Sequence, residues 1–153
     1  MIERATTARD LGEIRALFTA YAASLPIDLG LQHLDAELAA LPGKYAPPAG
    51  ALFLARDGDA AVGCVGLRPF DATRGEIKRM YVVPEARGQG LARALLATVI
   101  AEGRAIGYRT LVLDTLSSMT PAIALYEAAG FRRTDAYAPS PYADVAYFRL
   151  ELG

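Results

Sequence analysis

The chain holds one cysteine and one histidine in 153 residues. With Cys64 alone, no disulfide can close within the chain. With His33 the only imidazole, the nitrogen and sulfur donors of a zinc site are missing. No apolar run is long and uncharged enough to span a membrane. No signal-peptide layout precedes the first strand pattern at Met1-Ile-Glu-Arg4, so a cytoplasmic location is expected. Neither charge sign is in excess: the formal net charge is −1, which gives no electrostatic reason for nucleic-acid binding. Repeats, low-complexity tracts and an interior linker are also missing, and the length suits one domain over residues 1–153. The apolar fraction of 53% overstates greasiness, because 30 of those residues are alanine. Cys64 sits in the apolar stretch Ala61-Val-Gly-Cys-Val-Gly-Leu67, with no histidine near it in sequence. It reads as a buried structural thiol rather than a nucleophile.

What is present is a regular alternation of strand and helix signals. Ile2 to Thr6 predicts a first strand. Thr7 caps a helix running to about Ala23, with Leu11, Ile14, Leu17, Phe18 and Tyr21 on one face. Pro26 ends it, and Leu31 to Leu41 predicts a short second helix. A Pro- and Gly-rich loop over Pro42 to Gly50 follows. Ala51–Ala55 and Ala61–Leu67 predict strands joined at Asp57-Gly58-Asp59, a hairpin signal. Glu76 to Val83 predicts the next strand, and a long helix then runs to about Ile106, stopped by Gly107. Thr110–Thr115 predicts a strand, Met119–Ala129 a helix, and Phe131–Ala136 and Val145–Leu152 the last two strands.

The segment from Met80 to Leu96 carries the strongest chemical signal. Tyr81, Val82 and Val83 favour extended backbone, and Pro84 interrupts the ladder. Arg87-Gly88-Gln89-Gly90 then opens a helix whose apolar residues recur at Leu91, Leu95 and Val99. The first turn of a helix offers unpaired N–H groups and a partial positive charge. Two glycines leave them open to an anion such as a pyrophosphate. The segment is no P-loop, since no Gly-Lys-Ser/Thr follows, and it lacks the Gly-x-Gly-x-x-Gly spacing of dinucleotide-binding turns.

Arg87-x-x-Gly90-x-Ala92 matches the Arg/Gln-x-x-Gly-x-Gly/Ala pattern of the GNAT superfamily of N-acetyltransferases. A second segment in the expected order, Ala122-x-x-Leu125-Tyr126-x-x-x-Gly130-Phe131, matches that family's later helix. The chain therefore resembles GNAT proteins from about Ala51 to the C-terminus. The resemblance implies a mixed α/β fold with a twisted, mostly antiparallel sheet of six or seven strands flanked by about four helices. It implies acetyl-CoA as co-substrate and no metal. The pyrophosphate would lie on the backbone of Arg87, Gly88, Gln89, Gly90, Leu91 and Ala92, and the pantetheine arm along Met80, Tyr81 and Val82. Met119 and Ala122 would flank the cofactor, although the family often has Asn where this chain has Met119. The Val82 N–H would polarise the thioester carbonyl.

Two residues are expected at the chemistry. Tyr126 resembles the family's general acid for the departing thiolate; the competing reading is an aromatic that fills the core. Glu76 stands where some members place a catalytic glutamate; the competing reading is a surface carboxylate paired with Lys78 or Arg79. The acceptor side is expected to draw on Gln32, His33, Tyr137 and Tyr142. The implied function is acetyl transfer to a primary amine of a small or amino-acid-like molecule in a ternary complex, since no residue is poised to carry an acyl group. A protein or peptide acceptor, and a non-catalytic acyl-CoA sensor, stand as alternatives. A homodimer through an exposed edge of the last strand is a further expectation.

Overall fold

Period-two alternation builds the centre of the molecule. In β2 (Ala51–Asp57), Leu52 and Leu54 point to one face, and Ala51, Phe53 and Ala55 to the other. The structure, a computed structural model, describes residues 1–153 apart from the side chains of Leu31 and Gln32. Gln32, expected on the acceptor side, thus lies outside the described side chains.

The other strands are β1 (Ile2–Arg4), β3 (Ala60–Pro69), β4 (Arg74–Val82), β5 (Thr110–Leu116), β6 (Arg132–Thr134) and β7 (Val145–Glu151). They form one seven-stranded sheet in the order β1-β2-β3-β4-β5-β7-β6. Every pairing is antiparallel except β4 with β5. The helices are α1 (Ala8–Ser24), α2 (Leu34–Ala40), α3 (Leu91–Ile106) and α4 (Thr120–Ala128). The mixed α/β architecture thus agrees with the expected one in strand and helix number.

Two cores lie on opposite faces. Ile14, Leu17 and Phe18 of α1 pack with Tyr45, Leu52, Leu54 and Cys64. Leu95, Leu96, Val99 and Ile100 of α3 pack with Phe53, Val65, Leu67, Leu111 and Phe148. Burying one such side chain contributes about 1.5–3 kcal/mol. Cys64 is fully buried, and burial pushes its thiol well above the ordinary value. That agrees with a structural role.

Several element ends differ from those predicted. β1 stops at Arg4, because the Thr6 and Thr7 N–H groups both donate to the Asp10 carboxylate (2.9 and 3.1 Å). Asp10 N–H donates in turn to Thr7 Oγ1 at 3.0 Å, which completes a capping box for α1. The second helix begins at Leu34 rather than Leu31. A tight turn over Leu29–Gln32 precedes it, and His33 at φ 60° breaks the helical path. β7 is not an edge strand. It lies between β5 and β6, with Arg132–Thr134 covering Tyr147–Arg149, so the expected dimer contact through an exposed β7 edge is corrected there.

Candidate active site

Three consecutive positions join β4 to β5: Arg74 with Thr110, Gly75 with Leu111, and Glu76 with Val112. Beyond Glu76 the strands part. The register supplies one reason. Cys64 opposes Tyr81 and Gly66 opposes Lys78, so β4 carries one residue more than β3 between those rungs. Arg79 sits in this bulge with φ 59°, a left-handed conformation costly for an L-residue. It is pinned there. Arg79 Nε and Nη2 donate to the two Glu37 oxygens of α2, each at 3.2 Å. Burial alone would raise the Glu37 carboxyl, but Arg79, Tyr45 and Arg68 outweigh it and hold Glu37 below the ordinary value. The bulge also resets the side-chain parity that alternation would give from Glu76 to Val82.

The gap holds a cavity of about 70 Å³. Ile77, Lys78, Arg79 and Met80 line it from β4, Leu113 to Leu116 from β5, and Tyr21, Met119, Ala122 and Tyr126 from the helical side. Tyr126 is buried, its ring set edge-on to Phe131 and tilted against Phe148. Its hydroxyl makes no hydrogen bond among the described residues, and burial raises it far above an ordinary phenol. It therefore stays protonated at every physiological pH. Tyr126 is thus a core aromatic whose edge also faces the gap, and the two readings of it are compatible.

On one side of the gap the lining is mainly apolar. Met80, Tyr81, Val82, Arg87, Ala92, Met119, Ala122 and Leu125 line one cleft, and Arg87, Gly88, Gly90, Leu91 and Ala92 share the adjoining one with Pro121. Gly88 and Gly90 take φ 82° and 79°, and a Cβ at either would meet nothing within 4 Å. Their positive φ, not crowding, requires glycine, and the open space exposes the N–H groups of the turn. Gln89, between them, is exposed and lines neither cleft. Val83 N–H donates to Val62 O at 2.9 Å. Antiparallel pairs alternate in bonding direction, so the Val82 N–H and C=O turn from β3 toward the gap. The Val82 carbonyl accepts there from Arg87 Nε at 2.9 Å.

The other side is charged. A cleft of about 370 Å³ is lined by Lys44, Arg68, Glu76, Lys78, Arg79 and Asp114, and closed by the loop Ala138-Pro-Ser-Pro141. Glu76 is 6% exposed. One of its oxygens accepts from Arg68 Nε at 3.1 Å and the other from the Tyr137 hydroxyl at 2.8 Å. It is therefore buried rather than a surface residue, with Arg68 and Tyr137 holding its two oxygens. Lys78 Nζ lies 3.8 Å from Asp114 Oδ1, across the gap. Burial depresses the Lys78 ammonium, against the pull of Asp114 and Glu76. Tyr142 lines the gap and donates to Asp28 O at 2.6 Å. His33 is exposed and lines none of these clefts.

Sequence reasoning did not single out Tyr21, Arg68, Lys78 and Asp114 as site residues. Tyr21 looked like one more apolar position of α1, and the charged three looked like ordinary strand residues. Each of the three directly follows an apolar strand residue (Leu67, Ile77, Leu113), and that was the available signal.

The sequence profile of the acetyltransferase (GNAT) family matches residues 14–131, which spans both sides of the gap. The chain belongs to that family. It is an acyltransferase, and its parted strands, glycine turn and Tyr126 helix fall within the matched region. A Schizosaccharomyces pombe protein named as an uncharacterized N-acetyltransferase is 40% identical over 146 residues, covering 94% of this chain and 90% of the relative. A Klebsiella pneumoniae structure assigned as an acyl-CoA N-acyltransferase superposes with a TM-score of 0.75 at 30% identity, covering 100% of this chain and 97% of that one. The Salmonella typhimurium protein yncA, solved with its cofactor acetyl-CoA, shares the GNAT fold with a TM-score of 0.75 at 19% identity, covering 100% and 94%. Among the described residues, no helix is long and apolar enough to cross a membrane.

Proposed function

We propose that this GNAT protein transfers an acetyl group from acetyl-CoA to the primary amine of a small, amino-acid-like acceptor, in the cytoplasm and in a ternary complex. One observation carries the reading: the gap between β4 and β5 separates a mainly apolar cleft from a charged one. The first suits a long, mostly apolar arm ending in phosphates. The second carries cations and carboxylates together, as a zwitterion requires, and its proline-stiffened rim limits the acceptor's size. Its volume of about 370 Å³ is at the small end for a ligand site.

When bound, acetyl-CoA supplies the acetyl group as an activated thioester. The N–H groups from Arg87 to Ala92 hold the pyrophosphate, with Arg87 adding charge. Met80, Tyr81 and Val82 flank the arm, with Met119 and Ala122 opposite. The Val82 N–H polarises the thioester carbonyl. Glu76, fixed by Arg68 and Tyr137, holds the acceptor's ammonium and receives its proton. An alkylammonium otherwise keeps its proton to about pH 10.4. The Tyr126 hydroxyl gives a proton to the departing thiolate. Lys44, which makes no ion pair among the described residues, faces the acceptor's carboxylate.

Calorimetric titration with acetyl-CoA and, separately, with pantetheine tests the donor half. Tight binding of the first and weak binding of the second is expected, followed by thiol release on addition of amino acids or related amines. A folded protein that binds no acetyl-CoA overturns the reading.

A further inference from the structure

Of the 16 basic residues in the chain, 14 are arginine and two are lysine. Both lysines, Lys44 and Lys78, line the charged cleft. They differ in setting. Lys44 is exposed, whereas Lys78 is 7% exposed and also lines the cavity between β4 and β5. Arginine supplies every other cation, and a guanidinium neither loses its proton nor acts as a nucleophile near neutral pH. The amine at position 78 is thus chemically unlike the cations around it.

The Lys78 side chain shares its cavity with Tyr126, Met80 and Thr115. The space is small, about 70 Å³. For Tyr126 to serve the thiolate, the thioester must sit against this cavity, which Lys78 lines and whose Asp114 lies 3.8 Å from the Lys78 Nζ. We propose that Lys78 is a self-acetylation site: with acetyl-CoA bound and no acceptor present, its Nζ takes the acetyl group. The inference rests on the acetyl-CoA reading above.

The step balances without a further reagent. Neutral Nζ attacks the thioester carbonyl carbon, a C–N bond forms, and the C–S bond breaks. The nitrogen passes one proton to the Asp114 carboxylate 3.8 Å away, the sulfur takes one from the Tyr126 hydroxyl, and Tyr126 recovers its proton by way of solvent as Asp114 releases the one it took. The products are Nε-acetyl-lysine and free CoA. The groups facing Lys78 decide how readily its amine becomes neutral. Burial, Arg79 and Arg68 favour the neutral form, while Asp114 across the gap and Glu76 two residues back favour the charged one; burial dominates. Acetylation removes a cation from the cleft and fills the cavity, so the modified protein is closed to further turnover.

The test needs no knowledge of the acceptor. The full chain is incubated with acetyl-CoA alone and read by intact mass and peptide mapping. Only three amines can react: Lys44, Lys78 and the Met1 amino group. The expected result is one added acetyl on Lys78, formed about tenfold or more faster than on the other two, as positioned reactants allow. Tyr126→Phe is expected to slow it, and denaturant to abolish the preference. K78R is expected to gain no early acetyl while keeping its melting temperature. Equal modification of the three amines, or an unmodified Lys78 in protein shown by calorimetry to hold acetyl-CoA, overturns the inference and leaves the proposed function standing. No binding of acetyl-CoA overturns both.

Discussion

The two sides of the β4–β5 gap are built by different means. The apolar side is built mainly from the segment Met80 to Arg93, completed by Tyr21 and Ser24 of α1 and by Met119, Pro121, Ala122 and Leu125 of the α4 region. Its charged residues are Arg87 and Arg93, beside a glycine turn at Gly88 and Gly90. The charged side gathers Lys44, Arg68, Glu76, Lys78, Asp114 and the Ala138–Pro141 loop from across the chain, so its charges belong to side chains. A glycine turn that offers backbone N–H groups can stay constant while sequences drift, whereas a site made of charged side chains changes with each substitution. A family can thus keep one donor while its members take many acceptors.

Substitutions can break that comparison, beginning with the largest effect. Tyr126→Phe is expected to lower turnover by about 10²- to 10⁴-fold, the range for a positioned acid, with acetyl-CoA affinity unchanged by calorimetry. Unchanged turnover would favour the sensor reading. Gly90→Val places a branched residue at φ 79°, at a cost of about 1–2 kcal/mol. Acetyl-CoA affinity should fall about tenfold, with acceptor KM unmoved. If KM moves equally, the two sides are not independent.

Glu37→Gln removes the carboxylate that pins the bulge through Arg79. Unfolding in urea should show a loss of about 2–3 kcal/mol. The pH dependence has a definite sign. Glu37 titrates below its ordinary value when folded, so its contribution is complete above the unfolded value of about 4.3. It is lost as pH falls through the lower folded value. The variant should flatten the acid limb of a stability-against-pH curve, and an unaltered limb would rule out this linkage. The smallest effect is expected for Lys44→Ala. An exposed charge contributes about 0.2–1 kcal/mol, so acceptor KM should rise about two- to fivefold with kcat kept.

The same contrast explains what could be read from the chain alone. The glycine turn is legible because positive φ and bare N–H groups demand glycine at fixed spacing, and a backbone site leaves that demand in the sequence. The helix with Leu125, Tyr126 and Gly130 is legible for similar reasons, its end set by a glycine at φ 102°. The hairpin at Gly58 and the cap at Thr7 follow local rules as well. Arg68, Lys78 and Asp114 come together only through the register of β3, β4 and β5, which no local pattern states. His33 drew attention through its residue type, yet a left-handed backbone before α2 and an exposed side chain leave it outside the clefts. The position of β7 was hidden likewise, because whether a strand is covered depends on the few residues of β6.

The ratio of 14 arginines to two lysines has a consequence for the protein's durability. Thioesters acylate amines spontaneously and slowly, and guanidinium groups resist them. Outside its cleft the chain displays no lysine side chain for such damage to reach. A protein that spends its working life beside a reactive acyl donor thus wears a coat of cations that the donor cannot mark.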